Sequence, residues 1–316
     1  MALAGHDTGM KPASNPLAGP ALMVLTMALY VANDSLVKWL GAHMPLGAII
    51  SLRGLFIIAI LLGLIMVMPG HGPHSLVWTF RRPVLVRSLW DTAVTFLYLF
   101  ALLHMPIANV LAIMNLSPLV ILLLAAWRLG ERLSGVDILA VVIGMTGGLL
   151  VVHPGTQGFD LWALSAFAAM IGVAGRDVVT RTIPEGAPSL VIALSNVLLI
   201  QLGGFALWAM QAGDLAQNTQ SAALFTMQTW IMLFAAAVFL SAAYVLIVIA
   251  VRLAPLARTA PWRYTIVLWG VLAGWLVFGE WPDALAMTGI VLIVIGAWLA
   301  GRHVFHAHRP QRGHTR

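Results

Sequence analysis

The chain has 316 residues, of which 61% are hydrophobic and 9% charged, with a net charge of +6 and a mean hydropathy of +0.95. Soluble domains carry roughly 25% charged residues, so this chain cannot cover its own surface in water and must use lipid as solvent. The absence of cysteine excludes disulfides, thiol catalysis and cysteine-based metal sites.

Residues 1–19 lack the charged-then-apolar order of a signal sequence and predict a disordered cytoplasmic tail. A membrane span needs roughly 20 apolar residues. Runs of that length predict spans near 20–41, 46–68, 85–104, 107–127, 134–152, 160–180, 189–210, 229–251, 257–278 and 284–302. The segments between them hold backbone breakers, among them Met44-Pro45, Met68-Pro69-Gly70, Met105-Pro106, His153-Pro154-Gly155 and Trp281-Pro282. Residues 303–316, rich in His and Arg, form a second cytoplasmic tail whose charge suits a lipid surface better than a nucleic acid.

Of the 17 Lys and Arg residues, 14 fall on one side of these spans: Lys11, Arg81, Arg82, Arg87, Arg128, Arg132, Arg176, Arg181, Arg252, Arg258, Arg302, Arg309, Arg312 and Arg316. The opposite loops receive none, and Lys38, Arg53 and Arg263 fall within spans. This split is a positive-inside pattern, which predicts both termini in the cytoplasm and an even number of spans. The basic balance is therefore a mark of topology, and no nucleic-acid partner is expected.

The chain contains an internal repeat. Met105-Pro106-Ile107-Ala108 is followed by Gly130-Glu131, and Ala254-Pro255-Leu256-Ala257 by Gly279-Glu280; each proline precedes its glutamate by 25 residues. Gly147 and Gly296 each lie 16 residues beyond their glutamate. Asp34 and Lys38 are four apart, as are Asp177 and Arg181, while Arg53 and Asn196 each follow their aspartate by 19 residues. The halves, 20–153 and 160–302, each hold five predicted spans. An odd number per half forces opposite orientations, so the expected fold is an all-α integral membrane protein of ten helices in two inverted five-helix repeats, an architecture common among secondary transporters.

With these residues in view, a family resemblance becomes visible. The Ala-Pro-x-x-x-Thr-Ala-Pro run ending at Pro261, followed by Trp262-Arg263-Tyr264 and by Phe278-Gly279-Glu280-Trp281-Pro282-Asp283, resembles EamA-type members of the drug/metabolite transporter superfamily. Pro106-Ile107-Ala108, Pro118-Leu119 and Leu129-Gly130-Glu131 in the first half are similar to the same family. The resemblance implies a basket of ten helices around a central cavity. One departure is Val267, which stands where the first half has Pro118, so a helix break at that point is not expected. Ala32-Asn33-Asp34, Lys38-Trp39-Leu40-Gly41, Arg53-Gly54, Arg176-Asp177 and Ala260-Pro261-Trp262-Arg263-Tyr264 are similar to the S-adenosylmethionine-uptake branch.

Ionisable groups within spans cost about 2.5–3.5 kcal/mol on insertion scales, so they face a cavity or a partner. Asp34 with Lys38, and Asp177 with Arg181, stand one helical turn apart with acid before base, and are read as paired gates or as local neutralisation. Arg53 and Arg263 have no opposite charge three or four residues away in their own helices; each must meet another helix or cargo, and Asp91 is the partner expected for Arg263 by elimination. Asn115 and Tyr264 occupy equivalent positions in the repeat and are polar sites within spans; Asn196 is the counterpart of Arg53. Trp90, Trp262 and Trp269 can stack on a planar ligand or serve as core and belt aromatics. Glu131 and Glu280 are expected to hold the start of the helix that follows each, where negative charge is favoured. Gly144 with Gly148, and Gly270 with Gly274, are small-residue pairs suited to close helix packing.

There is no P-loop, no zinc-protease motif and no nucleophile elbow. No catalytic residue, metal or cofactor is expected. The expected function is secondary transport of a small polar metabolite, an amino acid or related compound, by alternating access across a plasma membrane (the bacterial inner membrane, on the resemblance). S-adenosylmethionine uptake is the alternative cargo. A membrane-embedded enzyme or a non-transporting scaffold would be the readings of another class. The bilayer and the solute are the expected partners, and a homodimer is compatible with such a chain.

Overall fold

The computed structural model describes residues 17–67, 72–117, 119–120, 123, 135–152, 161–180, 183–184, 186–215, 226–253 and 259–307. Within these, the side chains of 137, 152, 177–178, 212–215, 251–252, 260–261, 297 and 300–307 lie outside the description. Asp177 is one of these, and Pro118, Glu131 and Arg181 fall outside the described residues altogether.

Among the described residues all regular structure is helical. Helix α1 (Ala18–Gly41) stops ahead of Met44-Pro45, and α2 (Leu46–Val67) is apolar on all sides apart from Ser51 and Arg53. A 3-10 helix, Pro73–Phe80, leads into α3 (Arg82–His104), whose first turn holds Pro83, where a missing N–H leaves no bond unmade. Pro106 likewise precedes α4 (Ile107–Met114). Then come α5 (Gly135–Val152), α6 (Leu161–Thr180), α7 (Ser189–Leu215) and α8 (Met227–Leu253). A second 3-10 helix, Ala260–Tyr264, precedes α9 (Thr265–Phe278). Gly279 closes α9 with a left-handed φ of 66°, a conformation glycine adopts without penalty. Asp283 then accepts the Ala286 N–H at 2.7 Å and starts α10 (Ala284–Ala307).

Helices α1, α2, α3, α7 and α8 contain five segments long and apolar enough to cross a membrane. Shorter apolar helices run over 138–151, 161–176, 262–278 and 284–296. Two predicted spans depart from a continuous helix. Span 4 is helical from Ile107 to Met114, turns at Asn115 and Leu116, and is helical again at Ser117, Leu119, Val120 and Leu123, the described residues that follow. Span 9 opens with the 3-10 turn at 260–264 and becomes α-helical at Thr265, so Val267 sits in regular helix and the irregularity lies before it. The two irregular stretches coincide in the repeat at Asn115 and Tyr264, which are 149 residues apart.

Helix packing follows a simple rule. Helix α1 packs along α8 and α3 along α6; α2 packs on α7, α4 on α9 and α5 on α10. Exchanging every helix for the one five places away in the chain leaves this set of pairs unchanged. The α5–α10 crossing shows the relation at atomic level: a Cβ on Gly289 would lie 2.5 Å from the Gly147 carbonyl oxygen, and one on Gly296 would lie 2.7 Å from the Ala140 carbonyl oxygen. Gly147 and Gly296 are 149 residues apart, as are Ala140 and Gly289. Of the expected small-residue pairs, Gly144 and Gly148 abut Leu119 and Leu116, and Gly270 abuts Leu111. Lipid-facing positions such as Leu55, Leu149, Leu202, Phe234 and Leu268 are exposed and apolar, as expected for surface solvated by hydrocarbon.

Candidate functional site

The helices enclose a cavity of about 900 Å³ between α1–α4 and α6–α9. Its wall includes Thr180, the last residue of α6, and Ser189, the first of α7, both exposed, so the cavity reaches that end of the bundle. Toward the other end Met44, Leu46, Leu102 and Ile107 are buried in one apolar cluster that closes the bundle.

Two polar networks stand on the cavity wall. In the first, Asp34 on α1 accepts the Tyr98 hydroxyl of α3 at 2.5 Å and the Asn33 amide at 3.0 Å. Arg53 on α2 donates from Nη1 to Asn33 Oδ1 at 2.8 Å. Asn33 thus stands between the guanidinium and the carboxylate, and all three residues are buried. In the second network Asp91 on α3 takes Arg176 Nη1 of α6 at 2.9 Å, Arg87 Nη1 of its own helix at 3.4 Å and the Asn196 amide of α7 at 2.6 Å. A charge taken out of water survives in an apolar bundle only with such multiple partners.

At the closed end Lys38 donates to Glu280 Oε1 at 2.6 Å and to the Met105 carbonyl at 2.7 Å. The other Glu280 oxygen accepts the Ile107 N–H at 3.3 Å, at the start of α4. Lys38 also sits 5.0 Å from the Phe278 ring centroid. This cluster ties α1, α4 and the α9–α10 connection together.

Several expectations change. Lys38 pairs with Glu280 and not with Asp34, because a lysine near a helix end extends toward that end, where Glu280 stands, while Asp34 is held by Tyr98 and Asn33. Glu280 holds the start of α4 in the other half, while Asp283 serves the helix that follows it. Asp91 does not pair with Arg263: its oxygens are occupied by Arg176, Arg87 and Asn196. Arg263 belongs to the 3-10 turn, is exposed and lines the cavity. Asn115 and Tyr264 also line it, and Asn115 donates to the Leu111 carbonyl at 2.7 Å, closing α4. Trp90 and Trp262 are half-exposed and Trp269 packs among apolar side chains; none of the three lines the cavity. Asp34, Arg53, Asp91, Asn115, Asn196, Arg263 and Tyr264 share the one cavity. Lys38 lies at the closed end.

The sequence reading missed Asn33, Tyr98, Arg87 and Arg176 as parts of the networks. The signal was present for two of them. Arg87 precedes Asp91 by one turn, and Asp91, Thr95 and Tyr98 recur at helical spacing on one face of α3.

Compared with known families, residues 17–153 and 160–302 each match the EamA-like transporter family. The riboflavin transporter of Brucella anthropi is 24% identical over 86% of this chain and 94% of its own length. The pseudopaline exporter CntI of Pseudomonas aeruginosa is 26% identical, covering 88% of this chain and 94% of its own. The S-adenosylmethionine uptake transporter of Rickettsia prowazekii is 21% identical over 88% of this chain and 90% of its own. A crystal structure with 18% sequence identity superposes with a TM-score of 0.57, covering 94% of this chain and 100% of that one, which speaks to the fold alone.

Proposed function

Because the chain belongs to the EamA-like transporter family, and so is a multi-pass small-molecule transporter and not an enzyme, we propose that it is a secondary carrier of a small polar metabolite working by alternating access. The observation that carries this reading is the cavity itself. Charged and amide side chains from both halves of the chain face one space in an otherwise apolar bundle, and lipid-embedded charges of that kind mark solute pathways.

The architecture we propose is ten spans in two inverted repeats, 20–153 and 160–302, with both termini cytoplasmic. The exchange-invariant helix pairing and the matched glycine contacts of α5 and α10 support it. Two near-equivalent packings of one repeated unit supply two states, open to opposite sides. The Lys38–Glu280 pair belongs to the state closed at its own end. Asp177, Arg181 and Glu131, the repeat counterparts of Asp34, Lys38 and Glu280, are proposed to close the opposite end in the other state. Cysteines placed at Thr156 or Asp214 are expected to react from outside, and those at Arg82 or Arg312 from inside only.

Counterflow into proteoliposomes tests the carrier reading. Vesicles loaded with a cold solute should transiently concentrate the labelled one, which a channel or scaffold cannot do. The relatives name three different cargoes, among them S-adenosylmethionine. That compound remains the second reading on the strength of the Asn33-Asp34, Lys38 and Arg263-Tyr264 runs.

A further inference from the structure

We propose that the cargo is an organic anion, held by a surplus of arginine on the cavity wall. This rests on the carrier reading above. The described cavity wall carries four guanidinium groups, Arg53, Arg87, Arg176 and Arg263, against two carboxylates, Asp34 and Asp91.

Among the described residues, two of these arginines meet no carboxylate of their own. One carboxylate, Asp91, serves two arginines. Arg53 reaches the Asn33 amide oxygen and no carboxylate within ion-pair distance among the described residues. Arg263 is exposed on the wall, again with no described carboxylate in reach. Surplus charge inside an apolar bundle is costly, and a solute of opposite sign relieves that cost when it binds.

The scaffold does not require the surplus. At the repeat positions of Arg53 and Arg263 the other half carries neutral Asn196 and Met114. These two arginines are therefore additions to a shared architecture, and a fixed fork of donors suits a carboxylate or a phosphate. All four tyrosines of the chain, Tyr30, Tyr98, Tyr244 and Tyr264, line the same cavity. They offer ring faces and hydroxyls to a body larger than a simple amino acid, in a volume that matches a drug-sized ligand. A sulfonium cation would meet repulsion here.

The test uses the purified full-length chain and matched probes: flavin mononucleotide against riboflavin, indole-3-acetate against indole-3-acetamide, and S-adenosylmethionine as the cation. Calorimetry should show the anion of at least one pair binding about tenfold or more tightly than its neutral twin. The flavin pair reports on phosphate and the indole pair on carboxylate. Arg263→Met should erase the preference while melting near wild type, since Arg263 is exposed; Arg263→Gln is the second variant should the first fail to fold. Neutral twins or S-adenosylmethionine binding as well as the anions, no anion binding, or chloride alone reproducing the effect would each overturn the proposal. An anion that binds but is not moved by proteoliposomes defeats the carrier reading and leaves the anion site standing. A neutral or cationic solute carried saturably does the reverse.

Discussion

Replacing Lys38 with methionine should open the closed end of the bundle. The Lys38 side chain is 10% exposed and that of its partner Glu280 29% exposed. An exposed ion pair contributes about 0.2–1 kcal/mol, and breaking a fully buried one costs about 3–5 kcal/mol. Partial burial on the Glu280 side, with the Met105 carbonyl as a second acceptor, puts the Lys38 contribution at about 2 kcal/mol. If the pair exists only in the state closed at this end, its loss moves the population by about 30-fold toward the opposite state. The native chain has no cysteine, so a single Leu111→Cys probe, on the cavity wall, reports the opening cleanly. Its reaction with an impermeant maleimide from the Glu280 side should speed up accordingly in Lys38→Met. The swap Lys38→Glu/Glu280→Lys should restore closure only in part, because a lysine at 280 cannot accept the Ile107 N–H. An unchanged labelling rate in a folded Lys38→Met protein would refute the assignment of this pair to one state.

Three further outcomes follow from the geometry. Asp91→Leu removes the carboxylate that Arg87 and Arg176 share; it should destabilise the purified protein by about 2–3 kcal/mol, and an unchanged melting temperature would contradict the network. Asp34→Asn removes the acceptor charge that binds Tyr98 and Asn33; we expect it and Asp177→Asn each to lower transport about tenfold or more at normal expression, and normal rates in both would reduce these residues to local neutralisation. Gly289→Leu drives a Cβ into the Gly147 carbonyl and should cost about 1–3 kcal/mol, whereas Gly63→Leu, with open space around it, should be neutral; equal melting of the two would remove the close α5–α10 contact from the account.

Much of the fold was legible because a span announces itself by length alone. The runs 20–41, 46–68 and 189–210 match α1, α2 and the start of α7 closely. The irregular stretches at 115–116 and 260–264 were less legible. Their polar residues were visible, but local backbone geometry is decided by the proline-rich flanks and by what packs on them. The candidate residues were legible as charged and polar groups in the wrong solvent, and seven of them line one cavity. Their pairings were not, since periodicity identifies only neighbours within one helix. Lys38 and Glu280 are 242 residues apart in the chain and Asn196 and Asp91 are 105 apart, and nothing local encodes either contact. By sequence Arg263 falls within a span and calls for a partner on another helix or in cargo; the 3-10 turn leaves it exposed on the cavity wall.

Alternating access is tested most directly by one cysteine seen from two sides. Met114 lines the cavity, so Met114→Cys in oriented proteoliposomes should react with an impermeant maleimide added to either face. In the same protein, cross-linking cysteines introduced at Lys38 and Glu280 before labelling should abolish reaction from that face and preserve it from the other. Reaction from both faces after the cross-link, or from one face only without it, would contradict a carrier that exposes a single site to each side in turn.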